Sequence, residues 1–192
     1  VTIPDWYIQS CERVQYLLPK AHAVAYVLMA YRIAYCKVHH PKHFYASYFT
    51  VRATDFDYTH VSKGSHYIKN FIKSVYQQGF RASVLDKSIA TYLELANEMI
   101  ERGYEFEKVD LYKSHPTKFL ITEKGLRPPL ASLAGVGNNA ALSIAEARDV
   151  NNPFISREDL RQRAGIGKAV IERLADVGVL DDLPESNQID LF

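Results

Sequence analysis

One stretch of the chain, residues 19–41, constrains the fold more than any other because no glycine or proline interrupts it between its two ends. Its apolar residues recur on almost every face from Ala21 to Val38, which predicts a helix with Pro19 in the first position, where proline is tolerated. A helix that is apolar all round is buried in a larger body or in a membrane. Arg32 and Lys37 argue against a membrane span. We therefore expect a buried, central helix.

Three polar side chains stand at the start of this helix. Lys20 lies in the first turn, where a cation beside free backbone N–H groups can bind phosphate. His22 and Tyr26 are four residues apart and therefore share a helix face. Together the three could bind a nucleotide through a charge, a hydrogen-bond donor and a flat ring. The alternative is that Lys20 is solvated while His22 and Tyr26 are ordinary core residues.

Composition indicates a folded protein with little overall charge. The chain of 192 residues is 47% hydrophobic and carries a net charge of +1. Residues 1–130 hold 17 Lys and Arg against 12 Asp and Glu, whereas the last dozen residues hold four acids and no base. Cys11 and Cys36 lack metal-site or disulfide spacing, so we expect free thiols in a reducing cytoplasm. No stretch has the pattern of a signal peptide or a membrane span, and we expect no membrane partner.

Hydrophobic periodicity and the positions of glycine and proline predict several further helices and one small sheet. The helices are expected over residues 5–18, from Pro41 through the aromatic run after it, and over 64–78, 84–102, 140–148 and 169–176. The aromatic run after Pro41 leaves a strand open as an alternative. Residues 104–130 contain short apolar pairs and prolines, which predict a little sheet, a hairpin near residues 119–125, and a domain boundary.

His39, His40 and His43 admit a zinc site as an alternative, because two histidines four residues apart on a helix can ligate zinc. No third carboxylate or cysteine is placed to complete such a site. A polar helix junction is therefore the favoured interpretation, and we expect no metal site in this chain.

A four-residue pattern occurs twice, thirty residues apart. Residues 134–137 are Ala-Gly-Val-Gly, and residues 164–167 are Ala-Gly-Ile-Gly. Two glycines around one apolar residue allow a tight turn, after which the next helix begins with free N–H groups that can bind a DNA phosphate. Two copies in register are far more specific than one. The apolar residues predicted to match after each turn are Leu142 and Ile144 in the first copy, and Ile171 and Leu174 in the second.

Residues 131–180 resemble the helix-hairpin-helix family, whose hairpin amides bind phosphates without reading bases. The first copy has Asn138 and Asn139 where a lysine often follows the hairpin in that family. Phosphate binding there would depend on amides alone, and this copy could be merely structural. The residues that fit the family pattern are Leu133, Gly135, Val136, Gly137 and Ala141 in the first copy, and Gly165, Ile166, Gly167 and Lys168 in the second.

The last residues, 181–192, are acidic at first and apolar at the end. The acidic part has few apolar anchors, which predicts a disordered tail. Large apolar groups at the end of such a tail are typical of a peptide that binds a partner's pocket. The final pentapeptide, QIDLF, resembles the bacterial sliding-clamp-binding motif, which has Gln first and Leu-Phe last. The alternative is a frayed end that is apolar by chance.

The whole chain resembles the C-terminal part of the PolC family, the replicative DNA polymerase III α subunits of low-GC Gram-positive bacteria. Residues 19–57, which begin PKAHAVAYVLMAY and end ATDFD, carry the most specific similarity and match the family's fingers region. The final QIDLF favours PolC over the other bacterial α subunits, whose clamp motif is internal. The resemblance implies a mainly α fold: a helical fingers region (1–103), a small β insertion (104–130), a tandem helix-hairpin-helix domain (131–180) and a disordered C-terminal tail (181–192).

The resemblance also implies roles for individual residues. Lys20, His22 and Tyr26 match the stretch that lines the pocket for the incoming deoxynucleoside triphosphate. The two hairpins would hold duplex DNA behind the active site. The tail would bind the sliding clamp through Gln188, Ile189, Leu191 and Phe192.

Catalysis is not expected from this chain alone. Phosphoryl transfer by a polymerase needs carboxylates that hold two metal ions. The family keeps its catalytic aspartates in an upstream palm, so Mg²⁺ is expected in the remainder of the polymerase and no catalytic residue or cofactor is expected here. Asp55 and Asp57 are interpreted as a polar helix start.

Three functions stay open at this point. The chain is a fragment of a DNA-directed DNA polymerase (a nucleotidyltransferase), a free-standing DNA-binding adaptor that recruits a clamp, or an inert globular fragment. The chain opens without methionine, which favours a piece of something longer. The polymerase hypothesis predicts exposed apolar surface on the helix within residues 19–41, because the partner that covers it is missing.

Overall fold

A computed structural model describes residues 3–14 and 19–186 of the chain. Contacts within the chain divide it into two units, Val1–Pro41 and Lys42–Phe192. The division falls at the proline that follows the long apolar helix. The predicted boundaries after residues 103 and 130 lie inside the second unit, so the division into four functional parts stays a prediction.

The described residues of the first unit form two helices, α1 (Asp5–Arg13) and α2 (Lys20–His39). Pro19 precedes α2 with φ −55° and ψ 137°, so it stands at the N-cap rather than at the first helical position. The chain leaves the helical conformation at His40, where φ is −132°, because a residue before proline disfavours the α region. The predicted long helix is confirmed, and so is the beginning of the helix predicted over residues 5–18.

No residue of α2 is buried. Val27 and Tyr31 are 68% and 71% exposed, and they form an apolar strip with Val24 and Leu28 beside Lys20. For the part of the chain that the structure describes, the prediction of a buried central helix is therefore wrong. The exposed apolar surface is instead what the polymerase-fragment hypothesis predicts.

No helix among the described residues has the length and hydropathy needed to cross a membrane.

Four helices follow the boundary between the units. Pro41 opens α3, which confirms the helix and excludes the strand for the aromatic run. The helices are α3 (Pro41–Val51), α4 (Tyr58–Val61), α5 (Gly64–Gln78) and α6 (Val84–Glu101), with a 3-10 turn at Gly79–Arg81 between the last two.

Aromatic rings form the centre of the core between these helices. The ring of Phe56 lies 5.5 Å from that of Phe49, 5.0 Å from that of Tyr92 and 4.9 Å from that of Phe119, measured between centroids. Tyr45 is fully buried one turn before Phe49 and donates its hydroxyl hydrogen to a carboxylate oxygen of Glu98 at 2.9 Å. The spacing of four residues therefore places both α3 aromatics on the buried face.

A three-stranded sheet follows α6. Its strands are β1 (Glu105–Phe106), β2 (Leu120–Ile121) and β3 (Gly125–Arg127), in the order β1-β3-β2. The antiparallel pairing of β2 with β3 confirms the predicted hairpin. The parallel pairing of β1 with β3 joins segments about twenty residues apart, at Glu105 and Gly125, and periodicity gives no sign of it.

The C-terminal helices share one hydrophobic core with the helices and sheet before them. Leu126, Leu130 and Leu133 are buried and continue the core past the sheet. Three helices complete the second unit after a 3-10 turn at Leu130–Ser132: α7 (Asn138–Ala147), α8 (Arg157–Ala164) and α9 (Lys168–Asp176). The mainly α fold with a small β insertion is therefore confirmed.

The chain stays ordered beyond the residue at which the tail was predicted to begin. The amides of Arg157 and Glu158 donate to the carbonyl oxygens of Pro184 and Glu185 at 2.8 and 3.2 Å. Leu183 packs against the core. These contacts join Leu183, Pro184 and Glu185 to the folded part of the chain. The rest of the predicted tail, from Asn187 onward, lies outside the described residues.

Arg163 joins α8 to the end of α7 and to the loop between them. Its guanidinium donates to the carbonyl oxygens of Ala147 and Asn152, both at 3.0 Å, and lies 4.5 Å from the ring centroid of Phe154. It also forms an ion pair with Asp159 at 3.3 Å. One half-buried side chain thus fixes the spacing between the two halves of the C-terminal region.

We predict that Arg163→Ala lowers the free energy of unfolding by about 1.5–3 kcal/mol, because several carbonyl oxygens lose a charged donor. Arg163→Lys should recover little of this loss, since one ammonium group cannot reproduce the planar fork of donors. Denaturant unfolding monitored by circular dichroism measures both. The matched control is Arg161→Ala, an exposed arginine on the same helix, and equal effects of Arg161→Ala and Arg163→Ala would contradict the role given to Arg163.

Candidate nucleic-acid interface

The two glycine turns have the same backbone geometry. Gly135 and Gly165 adopt positive φ angles of +86° and +62°, a region that residues with a side chain rarely occupy. Gly137 and Gly167 are both extended, with φ −70° and ψ 161° in the first and φ −73° and ψ 158° in the second. The repeat seen in the sequence is therefore a repeat of conformation.

The apolar residue between the two glycines anchors each turn in the hydrophobic core. Val136 and Ile166 are buried, whereas the glycines on either side of them are exposed. The amide of Val136 donates to the carbonyl oxygen of Leu133 at 2.9 Å, and that of Ile166 donates to the carbonyl oxygen of Arg161 at 3.2 Å. The buried residue therefore directs the rest of the turn towards solvent.

The helices that follow the turns bury equivalent positions. Ala141 matches Ile171, and Ile144 matches Leu174; all four are buried. Leu142, which was predicted to match an apolar residue of the second copy, is 43% exposed. That part of the predicted pairing is wrong, because the thirty-residue repeat places Leu142 opposite the exposed Glu172.

The elements that precede the turns differ between the copies. The second turn follows the α-helix α8, whereas the first follows the short 3-10 turn at Leu130–Ser132. In the first copy a single tight turn therefore stands where the second copy has a helix. Its place is held by backbone hydrogen bonds from Leu130 to His115 and from Ala131 to Pro116, both 3.0 Å long.

The helices α7 and α9 begin without a side-chain cap. Gly137 and Gly167 occupy their N-cap positions. By contrast, α4, α6 and α8 are capped by the side chains of Asp57, Ser83 and Ser156. The first backbone N–H groups of any helix lack partners within it. In α7 and α9 these donors therefore face solvent together with the positive end of the helix dipole, an arrangement that binds phosphate.

Space is available for a ligand at these helix starts. A β-carbon at position 137 or 167 would meet no atom of the described chain within 4 Å. Both backbones are extended, so a larger side chain there would not strain the fold. A side chain would, however, occupy the space above the open amides. The extended glycines thus favour close approach by a ligand, whereas the left-handed glycines are needed for the turn itself.

The two copies differ in charge. Lys168 begins α9, with its side chain 80% exposed and 3.6 Å from a carboxylate oxygen of Glu172. An exposed pair of this kind contributes little stability, so the lysine is available to a phosphate. Asn138 and Asn139 begin α7 and are exposed but uncharged.

Lys20, His22 and Tyr26 all lie near the start of α2 in the first unit, and they are exposed. The rings of His22 and Tyr26 contact each other edge to face, with centroids 4.5 Å apart. Helical geometry turns about 100° per residue, which places Lys20 on a different side of α2 from this pair. The structure thus brings together the two rings but not the cation, and a nucleotide-binding role for the three residues stays a prediction.

Asp55 and Asp57 are engaged in the structure of the chain itself. Asp57 accepts the amide of Thr59 at 2.8 Å and caps α4, and Asp55 accepts the hydroxyl of Ser88 at 2.6 Å. The interpretation of these residues as a polar helix start is confirmed for Asp57. In the part of the chain that the structure describes, no three His, Cys, Asp or Glu residues are grouped so that they could hold a metal ion.

The predicted clamp-binding residues, Gln188, Ile189, Leu191 and Phe192, lie outside the described residues.

Sequence reasoning missed two arginines that support the hairpins. Arg163 joins α8 to α7, and Arg148 donates to the carbonyl oxygens of Ser114 and Leu111 at 2.7 and 3.2 Å. Charge alone could not reveal them, because the acceptors are main-chain carbonyls far along the chain.

His115 supports the loop on which the first turn rests. Burial, with smaller contributions from Lys118 and Arg148, lowers the pKa of His115 below its ordinary value of 6.5. Its Nδ1 accepts the amides of Thr117 and Lys118, both at 3.0 Å. A nitrogen that accepts two hydrogen bonds must be unprotonated, so the neutral imidazole is the form that stabilises this loop.

We predict that acid weakens the fold through His115. The folded-state pKa lies below the unfolded value, so the contribution is complete above about pH 6.5 and is lost as the pH falls through the lowered pKa. His115→Asn should flatten the pH dependence of the free energy of unfolding below pH 6.5, since asparagine can accept the same amides without titrating. Denaturant unfolding between pH 5 and 8 tests this, and an unchanged slope in the variant would contradict it.

Comparison with known proteins agrees with this geometry. A sequence profile described as the helix-hairpin-helix motif matches residues 103–189. The chain is 55% identical over 190 residues to the DNA polymerase III PolC-type of Halalkalibacterium halodurans, and equally identical to that of Caldanaerobacter subterraneus. It is 51% identical to that of Bacillus subtilis.

Each alignment covers 99% of this chain but only 13% or 14% of the relative. The chain thus spans about one seventh of the length of the curated relatives it matches. The resemblances to PolC-type polymerases and to the helix-hairpin-helix motif, inferred from the sequence, are confirmed.

Proposed function

Because the chain is related over 99% of its length to a segment of PolC-type DNA polymerase III, we propose that it is the part of a replicative DNA polymerase that holds duplex DNA. Polymerisation would belong to the whole enzyme, a DNA-directed DNA polymerase of the cytoplasm. This chain would contribute a grip on the DNA and contacts to partners, and it would not polymerise by itself.

The pair of matching glycine turns carries the proposal. Both turns are exposed, and both lead into a helix whose first amides have no side-chain cap. Amides presented in this way bind phosphate oxygens and carry no information about base sequence. Two such turns on one core could bind two backbone positions of one duplex. A grip of this kind suits an enzyme that must move along any sequence.

We predict that Gly167→Leu weakens duplex binding about tenfold, the equivalent of ~1.4 kcal/mol, because the leucine side chain blocks phosphate from the amides of α9. The slope of log affinity against log salt should change little, because the variant keeps every lysine and arginine whose phosphate contacts release counterions. Fluorescence anisotropy with two labelled duplexes of unrelated sequence, between 50 and 200 mM salt, measures both quantities.

Two variants control this experiment. Gln77→Leu adds the same side chain at an exposed position of α5 and should leave binding unchanged. Gly165→Leu places a side chain at a φ of +62°, so it should lower the melting temperature, which Gly167→Leu should hardly change. Equal affinities of the original chain, Gly167→Leu and Gln77→Leu for duplex DNA would overturn the proposal.

We propose further that α2 faces the remainder of the polymerase and the incoming deoxynucleoside triphosphate. Its apolar strip includes Val24, Val27 and Tyr31, each more than half exposed, and a contiguous apolar surface of this kind usually marks an interaction site. Lys20 at the first turn offers a cation for the phosphates. The His22–Tyr26 pair, on another face, offers rings to base or sugar.

The described residues do not fit the magnesium ions that such a reaction requires. Asp55 and Asp57 are committed to Ser88 and to the cap of α4, and no cluster of three potential ligands occurs among the described residues. No chemical step is therefore assigned to this chain. Magnesium would be held by the palm of the whole polymerase.

We also propose that the tail binds the sliding clamp through Gln188, Ile189, Leu191 and Phe192, which tethers the DNA grip to a ring around the duplex. Tethering raises the local concentration of weak contacts and so converts them into lasting attachment.

We predict that Phe192→Ala abolishes retention of the full chain on immobilised clamp, because the variant has no terminal aromatic anchor. Surface plasmon resonance measures the retention, and Asn187→Ala, just before the motif, is the matched control. Retention that survives Phe192→Ala would refute the tether while leaving the duplex grip untouched.

A further inference from the structure

An arginine of the second copy covers the glycine turn of the first. A β-carbon at Gly135 would lie 3.2 Å from Cγ of Arg173 and 3.5 Å from its Nε. Arg173 belongs to α9, whereas Gly135 opens the turn that leads into α7. The side chain of Arg173 therefore crosses from one copy to the turn of the other.

The reverse contact does not occur. A β-carbon at Gly165, the equivalent position of the second turn, would meet no atom of the described chain within 4 Å. The residue equivalent to Arg173 in the first copy is Ser143, thirty residues earlier, which is short and uncharged. Within the described chain, the second copy thus extends a side chain over the turn of the first copy, but the first copy extends none over the turn of the second.

This one-sided contact compensates for a difference in charge between the two turns. The second turn is followed by its own cation, Lys168, but the first is followed by Asn138 and Asn139. Arg173 brings a guanidinium to the turn that lacks a cation. With Arg173 counted, each turn has a positive side chain beside it.

Arg173 is available to a ligand. Its side chain is 60% exposed, and the ion pair it makes with Asp176 is long, at 3.6 Å, with Asp176 65% exposed. Exposed pairs of this type contribute little stability, so a phosphate could replace the carboxylate. A guanidinium also suits phosphate, because its parallel N–H groups can donate to two oxygens at once.

We propose that Arg173 provides the positive charge with which the first hairpin binds a DNA phosphate, so that this site is built from both copies: amides from the start of α7 and a guanidinium from α9. The proposal rests on the proposed duplex-binding function, and it is an alternative to the expectation that the first copy binds through amides alone or serves only the fold.

The test separates the charge of Arg173 from its packing against Gly135. Arg173→Met keeps an unbranched stem over the glycine but removes the charge; it should keep the melting temperature and weaken duplex binding three- to tenfold, with a salt slope shallower by about one unit. Arg173→Lys should retain most of the binding. Asn138→Lys combined with Arg173→Met should restore it, because the first turn then has a cation of its own.

Two further variants serve as comparisons for Arg173→Met. Arg81→Met removes an exposed arginine from the 3-10 turn after α5 and should not change binding. Lys168→Met reports on the second hairpin. If Lys168→Met weakens binding and Arg173→Met does not, Arg173 only covers the turn and this inference is wrong. If neither changes the affinity or the salt slope, neither cation contacts a phosphate and this inference is likewise wrong. The duplex-binding function itself fails only if Gly167→Leu also leaves the affinity of the chain for duplex DNA unchanged.

Discussion

Each hairpin depends on one backbone constraint, a glycine held at positive φ directly before a buried aliphatic residue. A residue with a side chain in the left-handed region would raise the energy of the turn by about 1–2 kcal/mol. Because Val136 and Ile166 are fixed in the core, the extended glycine after each of them must lie at the surface. The next helix then begins with its amides directed to solvent. The proposed grip on DNA depends on this order of left-handed glycine, buried aliphatic residue and extended glycine more than on any single charged side chain.

Features set by neighbouring residues could be predicted from the sequence. The bounds of α2, α5 and α6 agree with prediction to within one residue, because proline, glycine and hydrophobic periodicity act locally. The repeat was visible for the same reason, since each turn is four residues long and each copy is followed by a helix. The exposed Leu142 shows the limit of local patterns. An apolar residue near the expected position can be assigned to the core only when the register of its helix is known.

Features that depend on distant contacts could not be predicted. The parallel pairing of β1 with β3 joins strands with no common pattern, and Arg163 and Arg173 look like ordinary surface charges until the fold brings carbonyl oxygens or Gly135 beside them. The exposure of α2 has a different cause. Periodicity indicates that a helix has apolar faces, but burial requires a surface that covers them, and no residue of α2 is buried within the described part of its own unit.

The absence of side-chain caps from α7 and α9, within the described residues, would couple the proposed DNA binding to the stability of the fold. A glycine N-cap is only a few tenths of a kcal/mol less favourable than serine or aspartate, so leaving these helix ends open weakens the free protein very little. A bound phosphate would then act as the missing cap for both helices. Since a ligand that binds only the folded state stabilises that state, the duplex would make the first turns of α7 and α9 more rigid as the protein takes hold of it.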